Sequence, residues 1–171
     1  MQHSFSASVD YALYSHPGGV QSVVFHERFF PILMTPNDSY RTFTFDLDQG
    51  RLLSLADLFA PGVDPLVTIP PIARPYLVDA LMQAQPPHTP DVYPFIPEKW
   101  EPQPDGSGFS GNYRAFALTA DELILYLPDA QMMRENPAPP KQWQWSMAGG
   151  TVILHLPLSA LRPILAPRFG G

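Results

Sequence analysis

The chain has 171 residues, enough for a single domain, 1–171, that buries roughly two thirds of its unfolded surface and needs no staple to hold its core. A formal net charge of -6 without any basic run excludes a nucleic-acid binder, and the complete absence of cysteine excludes disulfides, thiolate catalysis and zinc–thiolate sites. Proline is the compositional outlier, with 22 residues, 15 of them crowded into 61–75, 86–104 and 137–140, while an apolar content of 45% keeps the chain in the globular class.

In chain order, Phe5, Ala7, Val9, Tyr11 and Leu13 alternate with Ser4, Ser6, Ser8 and Asp10, which is the period of a half-exposed strand. His16-Pro17-Gly18-Gly19 turns the chain, and residues 20–30 return as a second strand, so the pair is expected as an antiparallel hairpin. A third strand follows over 40–47, where Tyr40, Thr42 and Thr44 alternate with Phe43, Phe45 and Leu47. Leu47-Asp48-Gln49-Gly50 supplies turn chemistry, and Ser54 stands as an N-cap before Leu55-Ala56-Asp57-Leu58-Phe59, with Asp57 in the place of a capping box.

Pro61-Gly62 ends that short turn, and Leu77, Val78, Leu81 and Met82 predict a helix over 72–84 with Pro75 in or just before its first turn. Residues 85–111 are polar, rich in Pro and Gly, and carry Tyr93, Phe95, Trp100 and Phe109. A connection of that length inside a compact domain is either functional or clamped by its own aromatics. Strands are expected over 113–118, 123–127 and 151–156, the second written L-I-L-Y-L as a buried strand would be, with a terminal helix opening at Pro157. Between them, 132–147 is irregular and carries Trp143 and Trp145. The order is β-β-β-α-β-β-β-α. It predicts an α+β fold, a mixed or antiparallel β-sheet with helices packed on one face.

Chemistry-bearing residues are sparse. His3, His16, His26, His88 and His155 show no i, i+4 pair and no ligand spacing, so no metal and no cofactor is expected. His26 and His155 lie on the polar side of strands, where solvation or hydrogen bonding accounts for them. Asp46-Leu47-Asp48-Gln49-Gly50 resembles the opening of a calcium loop without its remaining oxygen ligands, and a β-turn explains it completely. Ser107 and Ser110, among glycines, are candidate nucleophiles with His88 or His155 as base, although G-x-S-x-G is absent and no spacing singles out a triad. The loop aromatics Tyr93, Phe95, Trp100, Trp143 and Trp145 are the candidate ligand-binding residues, since such rings stack on sugars or anchor a protein partner; the alternative is that they pin their own loops to the core.

Tyr40-Arg41-Thr42-Phe43-Thr44-Phe45-Asp46, Gly50, Leu53-Ser54 and Leu58-Phe59 together resemble a known family, the secreted mycobacterial immunogenic antigens and the C-terminal domain of the lysozyme-sensing anti-sigma factor of bacilli. The likeness extends to Gln21-Ser22-Val23-Val24, to residues 113–119 and to Val152 through Leu156. Two departures stand out: Ile32-Leu33-Met34-Thr35-Pro36 replaces a Gly-Gly-x-His-Pro-like element, and the family's N-terminal helical portion is missing. The resemblance implies a β-grasp-like α+β domain of unknown function, extracytoplasmic, secreted or membrane-anchored at a bacterial cell envelope. It further implies non-catalytic binding or sensing of a protein or cell-wall glycan, with a weak secreted ester hydrolase as the alternative. No apolar run is long enough for a membrane span, and the first residues lack a signal peptide's basic flank and hydrophobic stretch. Met1 leads almost at once into strand pattern, so a chain without a leader and one whose leader or anchor lies upstream are both open readings.

Overall fold

Alternation of apolar with small polar side chains produces three long strands. β1 (Ser6–His16) and β2 (Val20–Phe30) form an antiparallel hairpin, in register from Ser6 opposite Phe30 to His16 opposite Val20, and β3 (Asn37–Asp46) pairs along the other edge of β2. The turn after Asp46 returns the chain as β4 (Arg51–Leu53), a short strand where only turn and cap were expected, and Gly50 supplies a φ of 62° between the two. The structure, a computed structural model, describes residues 6–30, 37–83, 100–102, 113–127 and 152–170.

Ser54 caps a 3-10 turn, Leu55–Leu58, and the anticipated capping box forms around it, with Asp57 Oδ2 accepting the Ser54 N–H at 2.7 Å. The next helix begins earlier than the apolar spacing indicates: α1 (Pro65–Gln83) has Pro70, Pro71 and Pro75 inside it. An interior proline deletes a backbone hydrogen bond and disfavours a helix by about 3 kcal/mol. Here Ile69, Ala73, Leu77 and Leu81 recur every fourth residue and all sit in the main core. Burying each large aliphatic chain contributes about 1.5–3 kcal/mol, so tertiary packing overrides local propensity.

The remaining strands form a second sheet rather than extending the first. β5 (Phe116–Leu118), β6 (Glu122–Leu127) and β7 (Val152–Pro157) pair in that order, so the described strands lie in a four-stranded and a three-stranded sheet, antiparallel throughout. The chain is thus an α+β protein made mostly of antiparallel sheet with few helices. Side chains of the three-stranded sheet divide by parity. Phe116, Leu118, Leu123, Leu125, Leu127, Val152, Leu154 and Leu156 join the α1 residues in the main core. Ala117, Ile124 and Tyr126 point the other way and meet Val24 of β2, with Tyr14 and Tyr40 packed around them.

β5 is the edge of its sheet, and that edge abuts the face of the four-stranded sheet. Ala115 and Thr119 use their backbone groups toward β6, with Tyr126 N–H donating to Ala115 O at 2.9 Å and Thr119 N–H to Glu122 O at 2.9 Å. Phe116 and Leu118 therefore face away, and hydroxyls of β2 and β3 receive them. Phe116 N–H donates to Thr42 Oγ1 at 2.8 Å, Leu118 N–H donates to Ser22 Oγ at 2.9 Å, and the Thr44 hydroxyl reaches Phe116 O at 3.4 Å. Ser22 and Thr44, both fully buried, are joined at 2.8 Å.

After β7 the chain makes one helical turn, α2 (Leu158–Leu161), then runs back along residues 58–60, with Ala60 N–H donating to Ile164 O at 3.0 Å and Ala166 N–H to Leu58 O at 2.9 Å. It ends in a 3-10 turn at Pro167–Phe169. Because Ser22→Ala strands the buried Leu118 N–H, it is expected to destabilise the fold by about 1–3 kcal/mol in urea denaturation with an unchanged m-value. A loss under about 0.5 kcal/mol, within the range of a neutral surface change, would show that this edge is not held by the hydroxyl.

Candidate functional site

The residues singled out in the sequence are not gathered at one place. Tyr93, Phe95, Trp143, Trp145, Ser107, Ser110 and His88 lie outside the described residues. Trp100 is 6% exposed and belongs to the main core, so its indole packs inward rather than offering a surface contact. His155 is half-exposed on β7, and its Nδ1 lies 2.9 Å from Glu122 Oε2 on β6, an exposed cross-strand pair. Among the described residues no serine hydroxyl bonds the His155 ring, and no three His, Asp or Glu side chains converge as metal ligands. His26 is stacked on Tyr40 at 4.5 Å, and Tyr40 on Tyr126 at 4.8 Å, which gives it a structural place.

Three features that the sequence reading did not single out are better defined. The first is the outer face of the four-stranded sheet. The register puts Val9, Tyr11 and Leu13 of β1, Val23 and Phe25 of β2, Phe43 and Phe45 of β3 and Leu52 of β4 on one side. Tyr11 is 70% exposed, Val9 61%, Leu13 54% and Leu52 54%. Phe25 meets Phe43 edge-on at 6.2 Å, and Phe43 stacks with Phe45 at 6.5 Å. The opposite face, which contacts β5, carries Ser22, Thr42 and Thr44. The usual arrangement of a one-sided antiparallel sheet is partly inverted: the hydroxyls of Ser22, Thr42 and Thr44 lie inside beside the buried Val20 and Val24, and hydrocarbon lies outside together with Gln21 and the Arg41–Glu27 ion pair.

The second is a groove of about 440 Å³ beside β4, reaching from Phe43 and Leu52 to Leu55, Leu66 and Phe116. Tyr113 lies in its wall, held at φ 52°, the positive-φ residue other than glycine among those described. Burial raises the Tyr113 hydroxyl pKa, with the Glu101 carboxylate adding to the effect, so the phenol stays neutral. Arg114, next in the chain, is exposed at the same groove.

The third is an ion pair that ties the chain's end to two hairpin turns. Asp46, at the end of β3, is fully buried and receives two hydrogen bonds from Arg168, one to Oδ2 and one of 3.0 Å to Oδ1, while Gln49 N–H donates to Oδ1 at 3.0 Å. Arg168 also donates to Gly18 O at 2.7 Å. These hydrogen bonds hold the Asp46 carboxyl below its usual range against the opposing effect of burial, and they raise the Arg168 pKa. His16 stands beside them, 6.0 Å from the Phe169 ring, with its pKa lowered by burial and further by Arg168; among the described residues its buried Nδ1 has no hydrogen-bond partner. It lines a notch of about 340 Å³ with Glu122, Ser159 and Arg162.

No family model and no curated protein matches the sequence. Solved structures do match, among them a DUF3298 family protein from Pseudomonas aeruginosa PAO1, with a TM-score of 0.59 and 18% sequence identity over 98% of this chain. The chain covers 65% of that protein, less than two thirds of its length. At that identity the likeness shows a shared fold, that of a domain of unknown function.

The ion pair makes stability depend on pH in a defined direction. Asp46 has a folded pKa below its unfolded value of about 4, so its contribution is present above pH 4 and is lost as pH falls through the folded value. Arg168→Met removes that contribution, and the melting-temperature gap between wild type and variant is expected to be widest at pH 7 and to narrow below about pH 4. A gap that stays constant down to about pH 2 would exclude the linkage.

Proposed function

We propose that this chain is a non-catalytic binding or sensing domain exposed at the bacterial cell envelope, and that the outer face of the four-stranded sheet is where it meets a protein partner. The observation that carries this reading is the outer sheet face, which turns Val9, Tyr11, Leu13, Phe45 and Leu52 to water. A contiguous apolar patch of this size on a soluble domain ordinarily marks an interaction site. Strands spaced about 4.8 Å apart make the three long strands about 14 Å wide over about 34 Å of ten-residue length, and with the three-residue β4 the flat area is roughly 500 Å². That is comparable to the roughly 800 Å² of accessible surface which each partner commits to a specific interface. Aromatic anchors at the centre, Phe25 and Phe43, with aliphatic neighbours match the composition of protein interfaces.

The extracytoplasmic location, the relation to the mycobacterial antigens and the anti-sigma factor domain, and the β-grasp-like arrangement with helices on one sheet face belong to the same proposal. They rest on the Tyr40 to Phe59 residue pattern. A weak ester hydrolase is the second reading, favoured by the His155–Glu122 pair, which could orient an imidazole base.

Purified protein is expected to bind lysozyme or peptidoglycan in a titration, and Tyr11→Ser with Leu13→Ser is expected to weaken that binding by at least about tenfold while the melting temperature stays within a few degrees. Preference for peptidoglycan over lysozyme would replace a protein partner by a glycan; unchanged binding by the double variant would remove the sheet face from the proposal. Turnover of a short-chain ester that is abolished by His155→Ala would favour the hydrolase instead.

A further inference from the structure

The groove beside β4 has a different chemistry from the sheet face, and the geometry points to a site for a linear amphiphile with an anionic head, a long-chain carboxylate, with its hydrocarbon in the groove and its carboxylate on Arg114. Three observations carry this. The cavity, about 440 Å³, falls within the roughly 300–1,000 Å³ of small-ligand pockets. Its floor and walls are hydrocarbon, chiefly Phe43, Leu52, Leu53, Leu55, Leu66 and Phe116.

The polar side chains that border it are already committed inside the protein. Thr42 accepts the Phe116 N–H at 2.8 Å, Thr44 is joined to Ser22 at 2.8 Å, and Ser54 is bound to Asp57 at 2.5 Å. Asp64 turns its Oδ1 to the Leu66 N–H at 2.9 Å, and its charge is balanced by the N-terminal dipole of α1. Arg114 is the exception. Among the described residues it has no ion pair and no hydrogen bond, although the chain as a whole carries a net charge of -6. Among the described residues it is therefore the uncompensated charge of the groove, and its planar fork suits a carboxylate.

The backbone beside it is consistent with a site. Tyr113 adopts a left-handed conformation that disfavours a bulky residue by about 1–3 kcal/mol. The turn at Tyr113 buries its ring in the main core and leaves Arg114 exposed at the groove, just before Phe116 docks on Thr42. A regular extension of β5 through residue 113, which the sequence pattern suggests, would not place the two side chains in this way.

Isothermal titration with laurate below its micelle concentration tests the site. One saturable site is expected on the wild-type chain, weakened by about tenfold or more in Arg114→Gln, with dodecanol binding the two proteins alike. Ala56→Phe, a substitution at an exposed position lining the groove, is expected to abolish laurate binding without lowering the melting temperature. The double variant Tyr11→Ser with Leu13→Ser, which leaves the groove intact, is expected to bind laurate as the wild type does, so this site and the proposed protein contact fail separately. The assignment is overturned if the wild type shows no saturable binding, if Arg114→Gln binds laurate as tightly as wild type, or if Ala56→Phe leaves the affinity unchanged.

Discussion

The structure depends on how the free edge of β5 is closed. An edge strand pressed against another sheet's face leaves amide and carbonyl groups with no strand to meet them, and each buried, unpaired group costs about 1–3 kcal/mol. Ser22, Thr42 and Thr44 solve this with side chains. Two hydroxyls accept amide protons and a third reaches a carbonyl, at a position where a ladder bond is geometrically impossible. The three residues hold the two sheets together at one edge, and they make the part of the inner face that meets β5 polar, beside the buried Val20 and Val24.

That requirement propagates outward. From Thr42 to Asp46 every second position of β3 is a hydroxyl or the buried Asp46, Ser22 stands between the buried Val20 and Val24 on β2, and Val23, Phe25, Phe43 and Phe45 occupy the other face. Side-chain alternation in a strand gives no third option. The exposed hydrocarbon of Tyr11, Leu13, Phe45 and Leu52 is therefore the counterpart of the polar junction inside. The main core is supplied from elsewhere, by α1 and the other face of the β5–β7 sheet. The groove arises where β4 stops after three residues and α1 begins, leaving Leu52 through Leu55 unpaired on their far side.

A second polar device fixes the chain's end. Asp46 and Arg168 are 122 positions apart, and their pairing secures the β1–β2 turn through Gly18 O and the β3–β4 turn through Gln49. A fully buried carboxylate is tolerated only because a guanidinium and a backbone amide satisfy it. Gly19 belongs to the same packing: a Cβ there would approach the Asp48 carboxylate to 2.6 Å, and its φ of 75° suits glycine alone.

By itself the sequence determined the local pieces. The alternation over residues 5–30 and 40–47 gave a hairpin and third strand, L-I-L-Y-L gave a buried strand, and Ser54 with Asp57 gave a cap, because each signal is carried by neighbours a few positions apart. Tertiary structure decided what no short window contains. Pro70, Pro71 and Pro75 argued against the helix that burial of Ile69, Leu77 and Leu81 enforces, and Trp100 read as a loop aromatic until packing placed it in the core. That the strands form two sheets, that Ser22 and Thr44 face inward while Tyr11 and Leu13 face water, and that Arg114 borders a groove all follow from a contact between β5 and strands some 70 to 100 positions away. Alternation names two faces of a strand, and only the partner across the sheet says which of them is inside.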